Sequence, residues 1–462
     1  MHNWAPKREI VRFTMGNEDP FSTQLKRKHG LDRICVRAAE NGIAMLYHAY
    51  EIQRSWMNSV SSIASISASI MTNPANPFGK MGAMPMAANA LDVFAHATAN
   101  YGKPAFGITE ITVDGTIYPV TEATVVNRPF GDLKRFRLDG IDVVDGKSTS
   151  KRAKMLIAAP MSGHFATLLR GTVQRMLESY EVYITDWADA KNVPLHEGEF
   201  DLCSYIDYLI EFTEFIGAQG DGSRPHMLAV CQPSVPAYAA TALMNQHKSP
   251  ACPATLTMMG GPIDTRECPT TVNDHAMKRP IEWFRQSVIA TVPMNYRGAG
   301  RKVYPGFMQL SAFMSMNLQS HMMSHYEMFK HLTAGDDASA QATKDFYDEY
   351  RSVCDMTAEF YLQTVESVFQ KHSIPNGEFK HKGELVDLTA IKDTALLAVE
   401  GERDDISGLG QTKAALDLAT GLAKGKKRYY MAEGAGHYGI FNGSRWRGKV
   451  APVVEEFIES HS

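Results

Sequence analysis

Residues 226–238 read HMLAVCQPSVPAY, and this stretch decides the fold. A short apolar run ends at Val230, Cys231 follows it, and small residues of helical character begin directly afterwards. This order is typical of a nucleophile elbow, the sharp strand-to-helix turn that lifts a nucleophilic side chain above a sheet. The usual elbow has small residues two positions before and after the nucleophile; here Ala229 is small, and Pro233 suits the first turn of a helix. A helix N-terminus behind Cys231 also favours its thiolate form.

Short apolar runs recur on both sides of this stretch, and segments of helical periodicity separate them. Such runs are typical of buried parallel strands, and their alternation with helices predicts a doubly wound, mostly parallel α/β sheet. The predicted strands are MLIAA (155–159), YEVYI (180–184), HMLAV (226–230), ATLTMM (254–259), ALLAV (395–399) and RYYMA (428–432). Helices are predicted near 200–218, 235–247, 411–424 and 447–460, and a hairpin turn is predicted at Asp114-Gly115.

The spacing of these runs divides the chain into five parts. We expect a polar, dispensable N-terminal extension (1–44), a low-charge, partly helical segment (45–105), a first part of the core (106–269), an inserted, mostly helical cap (270–390) and a second part of the core (391–462).

The low-charge segment is unusual for a protein surface. Lys80 and Asp92 are the only charged residues between positions 55 and 100, and Ile63, Ile66 and Ile70 recur there at helical spacing. This stripe either packs on the core or faces an apolar partner.

Two further motifs supply partners for Cys231. GERDDISG (401–408) follows a predicted strand and contains Asp404, and GAGHYGIF (434–441) follows the last predicted strand and contains His437. Nucleophile, acid and histidine in this order are typical of the α/β-hydrolase fold. A lone cysteine is more often a buried structural residue, but the two partners favour a catalytic triad of Cys231, Asp404 and His437.

The acid has two rivals. Asp405 is adjacent to Asp404 but lies further from the strand end, where it could instead cap a following helix. Asp264, in MMGGPIDTR, also follows a predicted strand, although a turn or an ion pair with Arg266 explains it as well. Asp404 is the preferred acid, and the other two remain open.

The residue types predict acyl transfer. His437 would take the thiol proton of Cys231, and the thiolate would attack an ester carbonyl to form a thioester. The oxyanion needs preorganised donors: the backbone N–H of Gln232 is one, and Met161 or Ser162 in AAPMSGHF (158–165) supplies another. His164, in the same loop, is a candidate substrate contact or a surface histidine.

Composition excludes several classes of protein. A formal net charge of -4 leaves no basic footprint for nucleic acid, and no stretch of 18 apolar residues predicts a membrane span. Six cysteines without a C-x-x-C pair, and no apolar secretory signal, indicate reduced thiols in the cytoplasm. We expect no cofactor and no metal: His321 and His325 stand one helical turn apart but lack a third ligand.

The chain resembles the intracellular poly(3-hydroxybutyrate) depolymerases from about Met45 to the C-terminus. The stretches that carry the resemblance are MLYHAYEIQRSW, PMSGHFATLLRGTV, TDWADAKNVPL, AVCQPSVPAY, GGPIDTR, EGERDDISGLGQT and GAGHYGIFNGSRWR. In that family cysteine replaces the serine of the lipase box. The resemblance implies a polyester polymer as substrate, association with storage granules, and 3-hydroxybutyrate units or oligomers as products; a homo-oligomer is compatible with it.

Three other functions compete with this interpretation. A polyhydroxyalkanoate synthase shares the fold and the Cys–Asp–His set, but such enzymes resemble G-x-C-x-G at the elbow. A small-ester hydrolase of the dienelactone type would not need the long cap. A non-catalytic granule-coat protein would explain the low-charge segment, but it has no use for a triad. The methionine- and aromatic-rich residues 303–332 suit either an apolar binding surface or the core of the cap.

Overall fold

The computed structural model describes most of the chain from position 45 onwards. The described residues are 45–53, 56–57, 60–73, 84–98, 102–144, 147–148, 151–219, 223–316, 349 and 352–461. The expectations for residues 1–44 and for the histidine pair at 321 and 325 lie outside them.

A large sheet forms the centre of the described structure. Its strands are β1 (Glu110–Val113), β2 (Thr116–Val126), β3 (Gly131–Leu138), β4 (Lys154–Ala158), β5 (Glu181–Trp187), β6 (His226–Val230), β7 (Thr255–Met259), β8 (Ala395–Gly401) and β9 (Lys427–Ala432). Their spatial order is β1-β2-β3-β5-β4-β6-β7-β8-β9. The first four in this order pair antiparallel, and from β5 to β9 every pairing is parallel.

The parallel half of the sheet confirms the predicted fold class. Strands β4 to β8 are buried at every position, because helices flank the sheet and exclude water from both faces. The predicted hairpin is also present: Asp114 and Gly115 both have positive φ between β1 and β2, as a tight two-residue turn requires. Strand β3 was not predicted, because four of its eight residues are charged, and the adjacent Lys134 and Arg135 interrupt the alternation of apolar and polar residues.

The helices follow the strands as expected, with one clear difference. They are α1 (Met84–Thr98), α2 (Arg170–Leu177), α3 (Leu202–Gly217), α4 (Ser234–Gln246), α5 (Thr271–Met277), α6 (Ile281–Ser287), α7 (Gly306–Met316), α8 (Ala358–Thr364), α9 (Ala414–Leu418) and α10 (Ala451–Glu459). The helix predicted over 411–424 is shorter in the structure, where it spans Ala414–Leu418. The buried carboxylate of Glu400 accepts the backbone N–H groups of Gly410, Thr412 and Lys413, which holds that stretch in a turn.

Residues 260–394 leave the sheet and return to it between two neighbouring strands. Strands β7 and β8 pair directly, with Ala395 opposite Thr255. The described part of this excursion contains α5 to α8 and a small three-stranded sheet of Ala290–Thr291, Lys302–Tyr304 and Met356–Thr357. This is the segment for which a cap is predicted.

The low-charge segment is helical at residues 45–53, 56–57 and 60–72. Tyr47 is buried, and the helix at 60–72 turns Ala64 and Ala68 inwards. The isoleucine stripe points the other way, with exposed fractions of 64% for Ile63, 60% for Ile66 and 61% for Ile70. None of the described helices has the length and apolar character that crossing a membrane requires.

Candidate active site

Cys231 occupies a strained turn directly after β6. Its φ is +66°, a left-handed conformation that residues other than glycine rarely adopt unless their surroundings hold them there. Here the Cys231 N–H donates to the Met259 carbonyl at 2.7 Å, and the Cys231 carbonyl accepts from Ser234 N–H at 3.0 Å, at the start of α4. Gly261 permits this close approach, because a Cβ there would lie 2.1 Å from the Ser234 Cβ. The local structure is a nucleophile elbow.

Asp404 lies just beyond β8 with its side chain fully buried. One carboxylate oxygen, Oδ1, accepts the backbone N–H groups of Ile406 at 2.9 Å and Ser407 at 2.8 Å. The other, Oδ2, lies 2.7 Å from Nδ1 of His437. The loop therefore holds this carboxylate in one orientation towards the histidine.

His437 begins a short turn after β9, and only 5% of its side chain is exposed. Its ring bonds Asp404 through Nδ1, and Cys231 lies close enough to influence its titration. Burial alone lowers the pKa of His437, but the charges of Cys231 and Asp404 outweigh it and raise this pKa well above its usual value of 6.5. The arrangement favours the protonated form of the His437 imidazole.

The two rival acids lie in other environments. Asp264 forms a two-pronged ion pair with Arg266, whose guanidinium is 2.7 Å from Oδ2 and 2.8 Å from Oδ1. Burial alone would raise the pKa of Asp264. The hydrogen bonds from Arg266 lower it by a larger amount, so the pKa lies below its usual value. Asp405 is exposed, and the next helix begins at Ala414 with Lys413 as its cap residue, so Asp405 does not cap it.

Gly260 is a site residue that the sequence interpretation missed. It follows β7 with φ +59°, and a Cβ there would lie 3.2 Å from Asp404 Oδ2 and 3.2 Å from the His437 Cε1. Any side chain at this position would press on the contact between acid and histidine. The Gly-Gly pair after a predicted strand was visible, but nothing in the sequence indicated which residues it would approach.

The predicted oxyanion residues differ in whether their backbone N–H groups already have a hydrogen-bond partner. No hydrogen bond among the described residues uses the Gln232 N–H, which leaves it available. The Met161 N–H instead donates to the Gln232 side-chain oxygen at 3.0 Å, and Ser162 lines the cavity next to Cys231. His164 is buried, its backbone bridges to Val353, and it is not among the lining residues.

A cavity of about 560 Å³ opens above Cys231. Its wall on the side of residues 260–394 is strongly apolar, and the largest side chains in it are Trp283, Phe284, Tyr304, Met308, Tyr361 and Phe369. Tyr304 and Met308 belong to the methionine- and aromatic-rich stretch noted in the sequence, whereas the other four come from segments without a recognisable motif. No described lining residue is Asp, Glu, Lys or Arg.

The remaining described cysteines are poor candidates for a nucleophile. Cys203, Cys252 and Cys354 are buried, and burial raises the pKa of each thiol. Cys268 is exposed on the surface. Among the described residues, no three His, Cys, Asp or Glu side chains lie together as a metal site would require.

Residues 260–462 match the family model described as "PHB de-polymerase C-terminus". This match begins directly after β7 and includes Asp404 and His437, while Cys231 precedes it. No curated protein sequence matches the chain.

Several solved structures are similar to the chain at low identity. A thermophilic esterase from Thermogutta terrifontis is 12% identical with a TM-score of 0.37, over 76% of this chain and 98% of that one. The 2-hydroxy-6-oxo-6-phenylhexa-2,4-dienoate hydrolase of Rhodococcus sp. strain RHA1 is 10% identical with a TM-score of 0.39, over 74% and 99%. DcsB, solved with its substrate analogue, is 15% identical with a TM-score of 0.42, over 75% and 100%. Structural similarities at this level of sequence identity do not indicate the function of this chain.

The sheet, its strand order and the family match define the class: the chain is an α/β-hydrolase that acts on carboxylic esters. Within that class the chain is similar to the PHB depolymerases over residues 260–462.

Proposed function

We propose that this enzyme cleaves the ester bonds of poly(3-hydroxybutyrate) with Cys231 as nucleophile, His437 as base and acid, and Asp404 as the orienting carboxylate. The observation that carries the proposal is the 2.7 Å contact between buried His437 and Asp404, with Cys231 close to His437 and lining an apolar cavity. The match of residues 260–462 to the PHB depolymerase model supports the same substrate.

The chemistry follows from this geometry. His437 holds the proton of Cys231, and the thiolate attacks the carbonyl carbon of an ester. The N–H groups of Gln232 and Ser162 donate hydrogen bonds to the carbonyl oxygen as negative charge develops on it, whereas the Met161 N–H is engaged by the Gln232 side chain. The carbon–oxygen bond then breaks, Nε2 of His437 protonates the departing alkoxide, and the acyl group remains on sulfur as a thioester. Water attacks the thioester as His437 takes its proton, the carbon–sulfur bond breaks, the carboxylic acid leaves, and Cys231 is regenerated with its proton shared with His437.

The cavity supports a neutral, apolar substrate. Its described lining has no carboxylate, ammonium or guanidinium group and a single imidazole, that of His275, so a charged acyl group would lose its hydration with little to replace it. A polyester of short aliphatic units carries no charge along its length and buries methyl and methylene groups against the aromatic wall.

We further propose that the enzyme works on storage granules in the cytoplasm. The five described cysteines are unpaired thiols, which suits a reducing compartment. Ile63, Ile66 and Ile70 are exposed on one helix, and an uncharged stripe of this kind is costly in water unless something apolar covers it. A polymer surface would do so.

The test of activity is direct. Purified protein is incubated with amorphous poly(3-hydroxybutyrate) granules, and we expect soluble 3-hydroxybutyrate or its oligomers by mass spectrometry. The absence of soluble product would contradict depolymerase activity, and polymer growth from 3-hydroxyacyl thioesters would indicate a synthase instead.

Granule association is tested with Ile66→Asp. We expect normal melting, unchanged turnover of a soluble short ester, and loss of sedimentation with granules. Ile117→Asp is the matched control, because Ile117 is 60% exposed on β2, outside this helix. If Ile66→Asp instead lowers melting temperature and both activities together, the stripe packs within the protein and the granule proposal fails.

A further inference from the structure

Residues 259–261, which end β7 and begin the loop after it, lie directly against the nucleophile elbow. The Met259 carbonyl accepts the backbone N–H of Cys231 at 2.7 Å. Gly261 comes closer still, because a Cβ at this position would lie 2.1 Å from the Ser234 Cβ and 3.3 Å from the Cys231 carbonyl oxygen. The elbow therefore rests on these three residues, which we call the spacer segment.

The spacer segment also borders the acid and the histidine. A Cβ at Gly260 would lie 3.2 Å from both Asp404 Oδ2 and His437 Cε1. These are the two side chains that meet at 2.7 Å between Oδ2 and Nδ1. Because the elbow and the acid–histidine pair both pack on the spacer segment, its position sets the separation between the nucleophile and the base.

A buried hydroxyl holds the spacer segment in place. The Thr412 side chain is fully buried, and its Oγ1 accepts the Gly261 N–H at 2.7 Å and donates to the Gly261 carbonyl at 3.0 Å. A hydroxyl both donates and accepts, so one side chain satisfies both backbone groups. The Gly261 carbonyl also accepts the Ile263 N–H, whereas among the described residues the Gly261 N–H bonds Thr412 alone.

Thr412 is itself fixed by a buried carboxylate. Glu400 lies in β8, and its Oε1 accepts the backbone N–H groups of Thr412 at 2.8 Å and Lys413 at 2.9 Å. Its Oε2 accepts the Gly410 N–H and the Tyr429 hydroxyl, each at 2.9 Å. Four donors saturate the carboxylate, so the turn that carries Thr412 is held at one position relative to the sheet.

Resting on the proposed function, we propose that Thr412 is a positioning residue, whose hydroxyl fixes the spacer segment and thereby sets the distance between Cys231 and His437. Thr412 is not among the residues that line the cavity, so it acts through the spacer segment and not on the substrate. Without the hydroxyl, the Gly261 N–H loses its buried acceptor, and the segment shifts to find another. The chemical step depends on the distance from thiol to imidazole, whereas binding against the apolar wall does not.

The first test is Thr412→Val, which keeps the shape of the side chain and removes the hydroxyl. Steady-state kinetics uses the linear trimer of 3-hydroxybutyrate, well below the melting temperature of each variant. We expect kcat to fall by about 10- to 100-fold, the scale for displacing a reacting group by up to about 1 Å, while KM stays within about 2-fold. Thr412→Ser restores the hydroxyl and is expected to recover most of kcat.

The second readout is the titration of His437, followed by NMR. Burial lowers the pKa of His437, whereas Cys231 and Asp404 raise it. A displaced spacer segment loosens these contacts, so the titration moves to lower pH in Thr412→Val and stays at the wild-type position in Thr412→Ser. A side chain that only stabilises the fold would move neither this titration nor kcat.

The matched control is Thr394→Val. Thr394 is also fully buried and its hydroxyl donates to the Pro253 carbonyl at 2.7 Å, but it precedes β8, at the end of that strand away from Asp404. We expect a lower melting temperature with wild-type kcat and His437 titration.

The proposal is overturned if Thr412→Val behaves as Thr394→Val does, or if Thr412→Ser fails to recover kcat. Should Thr412→Val not fold, Thr412→Ala removes the same hydroxyl together with a methyl group, and the same losses are expected. A wild type that leaves the trimer intact contradicts the proposed function instead, and the His437 titration still tests whether Thr412 positions the histidine.

Discussion

The cavity has a floor and a cap wall, and the two satisfy their polar atoms differently. Behind Cys231 on the floor, Asp404 accepts hydrogen bonds at both oxygens, and His437 bonds this carboxylate through Nδ1. On the cap wall, formed by residues 260–394, aromatic side chains dominate and Gln309 and Thr364 have unpartnered oxygens. A floor whose groups are fixed in advance suits chemistry, because it needs no rearrangement at the moment of reaction. A largely apolar wall suits the binding of an apolar substrate.

The largest effect is expected on the floor, from Cys231→Ala. Removing the nucleophile is expected to lower kcat by about 10⁶-fold without changing the melting temperature, since alanine is smaller and fits the same turn. Cys231→Ser is expected to lose most activity as well, because an alkoxide needs a stronger base. Cys268→Ala, at the exposed cysteine, is the control and keeps wild-type turnover. Activity in Cys231→Ala would place the chemistry elsewhere.

Cys231→Ala also tests whether the sulfur contributes to the pKa of His437. The Cys231 sulfur is one of the groups that raise the pKa of His437, so Cys231→Ala is expected to shift the imidazole titration to lower pH. A histidine whose folded-state pKa is raised stabilises the fold below about pH 6.5, its unfolded value. That stability is lost as pH rises through the folded-state pKa, and in the variant the loss begins at lower pH. NMR titration of His437 measures the shift; an unchanged titration would mean that the two side chains do not interact.

Asp404→Asn is the next largest change. Neutralising a triad carboxylate leaves the geometry but removes the partner of the imidazolium, which typically costs about 10⁴-fold in kcat. Asp405→Asn and Asp264→Asn are expected to fall far less, since one is exposed and the other is paired with Arg266. A reversed ranking would move the role of acid to the more sensitive residue.

Gly260→Ala tests how tightly the floor is packed. A methyl group there meets Ile440 at 2.9 Å as well as the acid and the histidine, and it must also adopt positive φ. We expect a loss of about 10²-fold in kcat, the scale for displacing a reacting group by about 1 Å. Gly425→Ala, where a Cβ would meet nothing within 4 Å, is the control. Full activity in Gly260→Ala would show that the triad tolerates displacement.

The floor could be predicted from sequence and the cap wall could not, for a physical reason. Cys231, Asp404 and His437 follow strands of a parallel sheet, and the carboxyl ends of such strands meet at one edge, so their order along the chain is enough to bring them together. Gly260 was missed because its role depends on what lies beside it. Trp283, Tyr361 and Phe369 come together only through the packing of short helices, so no periodicity in the sequence indicates that they line one cavity. Gln309 is recognised only in the structure, because the sequence does not show which side-chain atoms lack a partner.

The smallest effect is expected on the cap wall, from Phe369→Ala. This ring lines the apolar wall of the cavity, so we expect it to contribute the same apolar contact before and during the reaction. Contacts that are equally strong in the bound substrate and in the transition state change KM and leave kcat unchanged. Losing part of a buried aromatic surface raises KM by about 3- to 10-fold. Leu385→Ala, at a leucine that is 47% exposed outside the cavity, is the control and leaves KM unchanged. Steady-state kinetics on a soluble oligomer separates the two parameters, and a fall in kcat with unchanged KM would show that the cap wall also positions the reacting ester.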